Sequence, residues 1–488
     1  MTACTGLEKQ SGYRHQQSDI LSELDSGFGS INKHKLYEAE SGRDNYQEQY
    51  ELQWDPSKME TFQEEEYSKS AYQTHLENEE IGITTEAEED DVEMNGIKTW
   101  SDFNRVYFHP KSMLTISGYL MDSDFMPFDV FSYGRTAFLE TEKELDSYDD
   151  NFRLFAEECD QLQGFQVLAD VLNGWGGFAS SYLERLREDF PKSTVITYGL
   201  GDNEMGKRET MKDKQVLAVN ETLAMTHLSK LSSLYVPVQA PDQSMLAFKG
   251  WSKNIWMDVR TNRKLEEIRL RSNSILMADM VGSLNWRNIT TIGTLSVGLP
   301  FPFGASSLPQ LVGKESPLLD LSSRKEDLDD QVFSQSVVLR GLETDQFARY
   351  ATGTRKTPRE IVDELLSTLP IGKSLGDTKI RTPVKYPIPT SYPRFFHGLT
   401  PEGYQSQDPY PPNLRPDGTS KVHSVPTITR LAVSSTTRWH LESLSNSIKK
   451  IDLRLLPQFD GDGQGGVNRE EFEEAKESLL DMYDVYNE

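Results

Sequence analysis

The chain is 488 residues long and carries 77 acidic against 51 basic side chains, a formal charge of −26. A chain this acidic repels phosphate backbones and anionic lipid, which argues against direct nucleic-acid binding or a broad membrane-surface footprint. Its two cysteines, Cys4 and Cys159, rule out a disulfide framework and a cysteine zinc site. With 36% hydrophobic and 26% charged residues the composition is globular, with room for two or three domains.

Residues 1–98 hold 23 acidic and 8 basic residues, a net of −15. The runs Glu64–Glu66, Glu79–Glu80 and Glu86–Asp91 have few aliphatic residues between them. Such a region cannot bury enough apolar surface to offset its ordering entropy, so it is expected to be solvated and partly disordered. Met1–Asp19 has neither an apolar core nor a run of arginines, so no signal or transit peptide is expected.

Globular texture starts near Trp100, and residues 99–285 read as an α/β domain. Asn151–Leu172, with Phe152, Phe155, Leu162, Phe165 and Leu172, predicts an amphipathic helix. A glycine cluster follows at Asn173-Gly-Trp-Gly-Gly177. Phe178–Phe190 predicts a second helix stopped by Pro191, and Thr194–Tyr198 a buried strand ending at Gly199. Helices are also predicted at Gln215–Ser232 and Ile268–Asn285. Residues 286–380 read as a second α+β domain, with strands near Ile289–Leu299 and at Phe333–Gly341. Asn288–Gly313 carries no charge, but its three prolines and four glycines break any membrane helix, so no transmembrane segment is expected. Residues 381–426 hold 10 of the 23 prolines and predict an extended connection. Residues 427–488 predict C-terminal helices, one of them spaced by Trp439, Leu444, Ile448, Ile451 and Leu455.

Two stretches carry ligand-like chemistry. At the glycine cluster, Gly174, Gly176 and Gly177 allow close backbone approach to a phosphate, and the helix opening at Phe178 offers free N–H groups. The pattern is neither a Walker loop nor a GxGxxG after a strand, and a plain bend between helices is the competing reading. Near the end, Asp460, Asp462, Gln464, Asn468 and Glu471 fall at calcium-loop positions 1, 3, 5, 9 and 12, with Gly465 at 6 and Val467 at 8. There the competing reading is a loop that caps the last helix at Asn468, with Glu471 in the capping-box position. The eight histidines form no HExxH pattern and no serine lies in G-x-S-x-G, so neither zinc-protease nor serine-hydrolase chemistry is indicated. His109 and His227 are assigned to packing.

Glu157-Glu-Cys-Asp-Gln-Leu-Gln-Gly-Phe-Gln166, the glycines, Leu183-Glu-Arg-Leu-Arg-Glu-Asp-Phe-Pro191 and Val219-Asn-Glu-Thr-Leu-Ala224 together resemble the nucleotide-binding signature of the tubulin/FtsZ superfamily. Within it, five blocks resemble the Misato family, particularly its fungal members. They are Trp100-Ser-Asp-Phe-Asn-Arg-Val106, His109-Pro-Lys-Ser112, Ala156–Gly164, Trp175-Gly-Gly-Phe-Ala179 and Phe333-Ser-Gln-Ser-Val-Val-Leu-Arg-Gly341. The resemblance implies an α/β fold with a tubulin/FtsZ-like parallel sheet flanked by helices, a second α+β part and C-terminal helices. It also implies GTP or GDP held by backbone groups around Gly174, Gly176 and Gly177, with Asn220 on the base.

Three departures qualify the resemblance. Only Ser26-Gly-Phe-Gly-Ser30 and Lys35-Leu-Tyr37 match the family's opening, so its first strand and first phosphate loop are expected to be missing. Trp175 puts an indole where the tubulin loop has small hydroxyl residues. Leu284-Asn-Trp-Arg-Asn-Ile289 lacks the carboxylate that would orient water, which argues against GTP hydrolysis. The expectation is a non-catalytic or weakly nucleotide-binding factor in mitochondrial distribution, morphology and mitochondrial DNA inheritance. It would act in the cytoplasm and on the outer mitochondrial surface, with protein partners of the cytoskeleton or that surface. The alternatives are a self-assembling GTPase and a calcium-responsive interaction protein.

Overall fold

A computed structural model of the chain describes residues 127–145, 152–159, 162–201, 210–239, 276–285, 289–298, 319–322, 331–341, 378–382, 384–388, 422–459 and 465–487, with shorter pieces elsewhere. The acidic region apart from Cys4–Thr5, the Trp100–His109 block, most of the proline-rich connection and Asp460–Gln464 lie outside the described residues. Cys4–Thr5 pairs in parallel with Met113–Leu114, a two-residue strand in the region where the family's first strand was expected to be missing.

The first unit begins with α1 (Phe131–Leu145), followed by the single-turn α2 (Arg153–Glu157). The sheet strands and their crossovers come next: β1 (Gly164–Asp170), α3 (Gly174–Asp189), β2 (Thr194–Gly201), α4 (Met211–Leu231) and β3 (Leu234–Gln239). The three strands lie side by side in the order β1-β2-β3, all parallel. A helix between each pair makes two βαβ units.

The predicted helix over Asn151–Leu172 is therefore corrected. Only Arg153–Glu157 is α-helical, and the chain from Gly164 is the first sheet strand. Phe165, Val167, Leu168 and Ala169 do not alternate strictly with polar residues, so the strand lacks the period that would set it apart from a helix. Gly164 marks the change: its φ is +146°, and a Cβ there would collide with the Thr194 carbonyl on β2. The other expected elements near this sheet appear close to their expected bounds, with α3 starting four residues earlier than Phe178.

The second unit contains α5 (Met277–Leu284), β4 (Thr294–Gly298), β5 (Leu319–Asp320), β6 (Val332–Arg340), β7 (Thr378–Thr382) and β8 (Thr427–Ser434). Its sheet runs β5-β4-β8-β6-β7. Strand β8 is antiparallel to both β4 and β6, while β7 lies parallel to β6. The centre of this sheet is thus a strand from the stretch expected to hold only helices. Two helices follow, α6 (Thr437–Ile448) and α7 (Arg469–Asn487), and the turns between them at Leu453–Leu455 and Pro457–Phe459 are 3₁₀.

One apolar core runs through both units. Helix α4 is buried from Val216 to Met225, and its Leu223 and Leu228 share that core with Leu441, Leu444 and Ile448 of α6 and Phe472, Ala475 and Leu479 of α7. Each leucine, isoleucine or phenylalanine side chain so withdrawn from water contributes about 1.5–3 kcal/mol before entropy. Tyr486 ties the end of α7 to the approach to β4: its hydroxyl accepts from the Ile292 N–H (2.7 Å) and donates to the Ile292 carbonyl (3.0 Å). Among the described residues no helix is long and apolar enough to cross a membrane.

Candidate functional site

The glycine cluster does not lie between two helices. It follows the carboxyl end of β1 and forms the first turn of α3, the place where parallel α/β sheets present helix N-termini to anions. That position is the one a phosphate loop needs. Its occupancy is another matter.

The N–H groups at this helix start already have acceptors inside the chain. Gly174 donates to the Phe128 carbonyl (3.0 Å), Trp175 to Oδ1 of the N-cap Asn173 (2.9 Å), and Gly176 to the Asn173 carbonyl (3.3 Å). The Asp170 carboxylate holds the turn by accepting from the Leu172 N–H (2.9 Å) and from Asn173 Nδ2 (2.9 Å). A carboxylate here already complements the positive end of the helix dipole and would repel a phosphate.

The space over the glycines is filled as well. A Cβ on Gly174 would meet the Phe128 ring at 2.8 Å, and one on Gly176 would meet Ala224 Cβ of α4 at 2.8 Å. A Cβ on Gly177 would collide with the Phe131 carbonyl, and one on Gly134 of α1 with the Gly174 carbonyl. The lack of side chains lets α1 and α3 cross at backbone distance. Trp175 turns away from the loop into an aromatic cluster, edge-on to Phe128 (5.2 Å) and Phe178 (5.7 Å), and is 7% exposed.

Asn220, the expected base contact, is fully buried and spends its amide on backbone. Its Oδ1 accepts from the Phe131 N–H (2.9 Å), and its Nδ2 donates to the carbonyls of Asp129 (2.6 Å) and Leu172 (2.8 Å). It therefore clamps the entry to α1 against the turn before α3. As arranged, Gly174, Gly176, Gly177 and Asn220 do not fit a guanine nucleotide.

The second motif is only partly described: Asp460, Asp462 and Gln464 lie outside the described residues. Of the rest, Asn468 is the N-cap of α7, its Oδ1 accepting from the Glu471 N–H (2.8 Å). Glu471 does not complete a capping box. Its Oε1 meets Arg135 of α1 at 2.7 Å and His227 of α4 at 3.0 Å. Burial pushes the Glu471 carboxyl up, but the hydrogen bonds and charges of His227 and Arg135 outweigh it and hold the group below its ordinary value. Gly465 packs against Thr136 so closely that a Cβ there would overlap the Thr136 hydroxyl. The terminal carboxylate of the calcium pattern is thus engaged by a cation and an imidazole. His227, expected to pack, does so against the Phe131 ring (5.6 Å) and also makes this polar contact.

The sequence reading missed α1 altogether, and with it Phe128, Gly134 and Arg135. The available signal was Gly134 inside a run of otherwise helix-compatible residues, since such a glycine often marks a close packing contact. It also missed a buried polar group at the end of β3. There Gln239 Nε2 lies 3.5 Å from Glu221 and 3.2 Å from His440, joining α4 to α6.

The family model described as a tubulin domain matches residues 90–272, which span β1, α3, β2, α4 and β3. The Protein DML1 of Gibberella zeae is 37% identical over 229 residues, 46% of this chain and 43% of that protein. The protein misato homolog 1 of Mus musculus is 26% identical over 424 residues, 81% of this chain and 73% of its own length. The human protein of that name is 27% identical over 424 residues, 80% and 70% respectively. The chain carries a tubulin-like domain and is similar to the proteins named DML1 and misato homolog 1. Its best-matching stretch spans about two fifths of the length of the Gibberella zeae relative.

Proposed function

We propose that this chain is a non-hydrolysing, tubulin-like factor in mitochondrial distribution, morphology and mitochondrial DNA inheritance. It works in the cytoplasm and on the outer mitochondrial face through protein partners of the cytoskeleton or that surface. The organelle role follows from kinship with the Misato family. The non-catalytic half rests on one observation: the donors and space over Gly174, Gly176 and Gly177 are taken by Phe128, Phe131 and Asn173 of the same chain. With no carboxylate in Leu284–Ile289 there is also no residue in that stretch to orient a water.

The test is replacement of the gene in a fungal host by a form that can be depleted, followed by imaging of mitochondria and counting of cells that lose mitochondrial DNA. Fragmented or unevenly partitioned mitochondria are the expected result, rescued by the intact chain. Normal networks and normal inheritance after depletion would remove the organelle role. Turnover of GTP by purified chain, well above a protein-free blank and persisting through successive purification steps in proportion to the chain, would remove the non-catalytic half.

A further inference from the structure

The glycine cradle and the calcium-like stretch are far apart in sequence, yet both close on α1. On one side Phe131 and Gly134 cross the first turn of α3. On the other, Ser132 Oγ donates to the Gln458 carbonyl (3.1 Å), Thr136 abuts Gly465, and Arg135 pairs with Glu471 (2.7 Å). Positions 132, 135 and 136 share one face of a helix, so α1 shows one face to the cradle and another to the C-terminal segment.

We infer that α1 is the built-in occupant of both ligand-like motifs, fixing the cradle and the start of α7 to one another so that neither nucleotide nor calcium is needed to order them. A bound phosphate would satisfy the N–H groups at the start of α3; the Phe128 carbonyl and Asn173 do so here. A base would engage Asn220; the backbone at Asp129 and Phe131 does so instead through two hydrogen bonds, with a third to the Leu172 carbonyl, all to a fully buried side chain. A bound cation would engage Glu471; Arg135, stacked over the Phe131 ring at 5.0 Å, holds it.

The contacts at the cradle end are backbone collisions avoided by glycine and buried hydrogen bonds, not those of a lid resting on a surface. A lid would leave a polar lining when lifted, whereas lifting α1 and the residues that lead into it would orphan Asn220 Oδ1, the Gly174 N–H and the Phe131 N–H together. Disturbing the cradle should therefore be felt at α7, through one rigid helix. This deepens the reading of the site as non-hydrolysing and rests on it, but it is independent of the mitochondrial role.

The test is amide hydrogen exchange by mass spectrometry on the full chain. It is run alone, with GTP or GDP and magnesium, with calcium, and on Asn220→Ala and Glu471→Gln. Amides at 174–178 and 468–475 should exchange slowly in the unliganded chain and be unchanged by any ligand. Asn220→Ala should speed exchange about tenfold or more at 172–178 and also at 468–475, while β6 and β8 keep their protection. If Asn220→Ala does not fold, Glu471→Gln gives the same readout from the other end, with faster exchange in 131–137 as well as 468–475. Nucleotide that slows exchange at 174–178, calcium that slows it at 468–475, or variants whose effect stays at their own end would overturn the inference. Normal mitochondria in depleted cells would count against the organelle role alone.

Discussion

Two faces of one helix are held by different forces. Against α3, α1 is held by a backbone crossing that glycines permit and by an amide buried among carbonyls. Against α7, it is held by Arg135, His227 and Glu471, each retaining some contact with water. The first kind of contact cannot adjust, because the atoms that would collide are main-chain atoms fixed by two helices. The second can be screened, titrated or rearranged at modest cost. The cradle face therefore sets whether the domain folds, and the C-terminal face sets how firmly the last helix is attached.

Gly177→Ala attacks the rigid face and should have the largest effect. Its Cβ would run into the Phe131 carbonyl and lie 3.1 Å from the Arg135 nitrogen, so α1 must move. Urea unfolding of the full chain should show a loss of about 3 kcal/mol or more. A loss below about 0.5 kcal/mol, the level of a neutral surface change, would mean that the helices do not cross there. Asn220→Ala should come next, at about 2 kcal/mol or more, because it strips partners from the Phe131 N–H and from two carbonyls at once. Asn220→Asp keeps the acceptor for Phe131 but aims a carboxylate at the Asp129 and Leu172 carbonyls, and should be at least as damaging. If Asp were tolerated and Ala were not, the clamp would be a matter of volume and not of hydrogen bonding.

What the sequence allowed follows the same divide. The α3–β2–α4 run was legible because its apolar spacing, Pro191 and Gly199 are local signals, whereas β3, a short and fully buried Leu234–Gln239, was not foreseen. Strand β1 was not: only Phe165 and Ala169 of Gly164–Asp170 are buried, and its apolar residues do not alternate strictly, so no period distinguishes strand from helix. Strand β8 was hidden for a related reason, with both faces buried and Arg430 interrupting the apolar pattern from within the sheet. The glycines were legible as a demand for close approach but not as to what approaches, since a phosphate and a crossing helix both need the Cβ removed. Glu471 was read by its spacing to Asp460. Its partner Arg135 belongs to a helix that local pattern did not reveal, and no spacing rule reaches that far along a chain.

The softer face offers the smallest effect and the sharpest contrast. Glu471 titrates below its ordinary value of 4.5 because of Arg135 and His227, so the native state binds its proton less readily than the unfolded chain does. Its contribution is accordingly complete at neutral pH and is lost as pH falls from near the ordinary carboxylate value through the lower native one. Glu471→Gln should cost about 1 kcal/mol at pH 7, as for a partly exposed charge cluster, and the gap from the parent chain should close as pH drops toward 3. Added salt should narrow the gap at pH 7 as well. The cost of Gly177→Ala comes from overlapping main-chain atoms and should stay level across the same pH and salt range. A Glu471→Gln gap that ignores both variables would mean that the C-terminal face, too, is held by packing, and the distinction between the two faces of α1 would disappear.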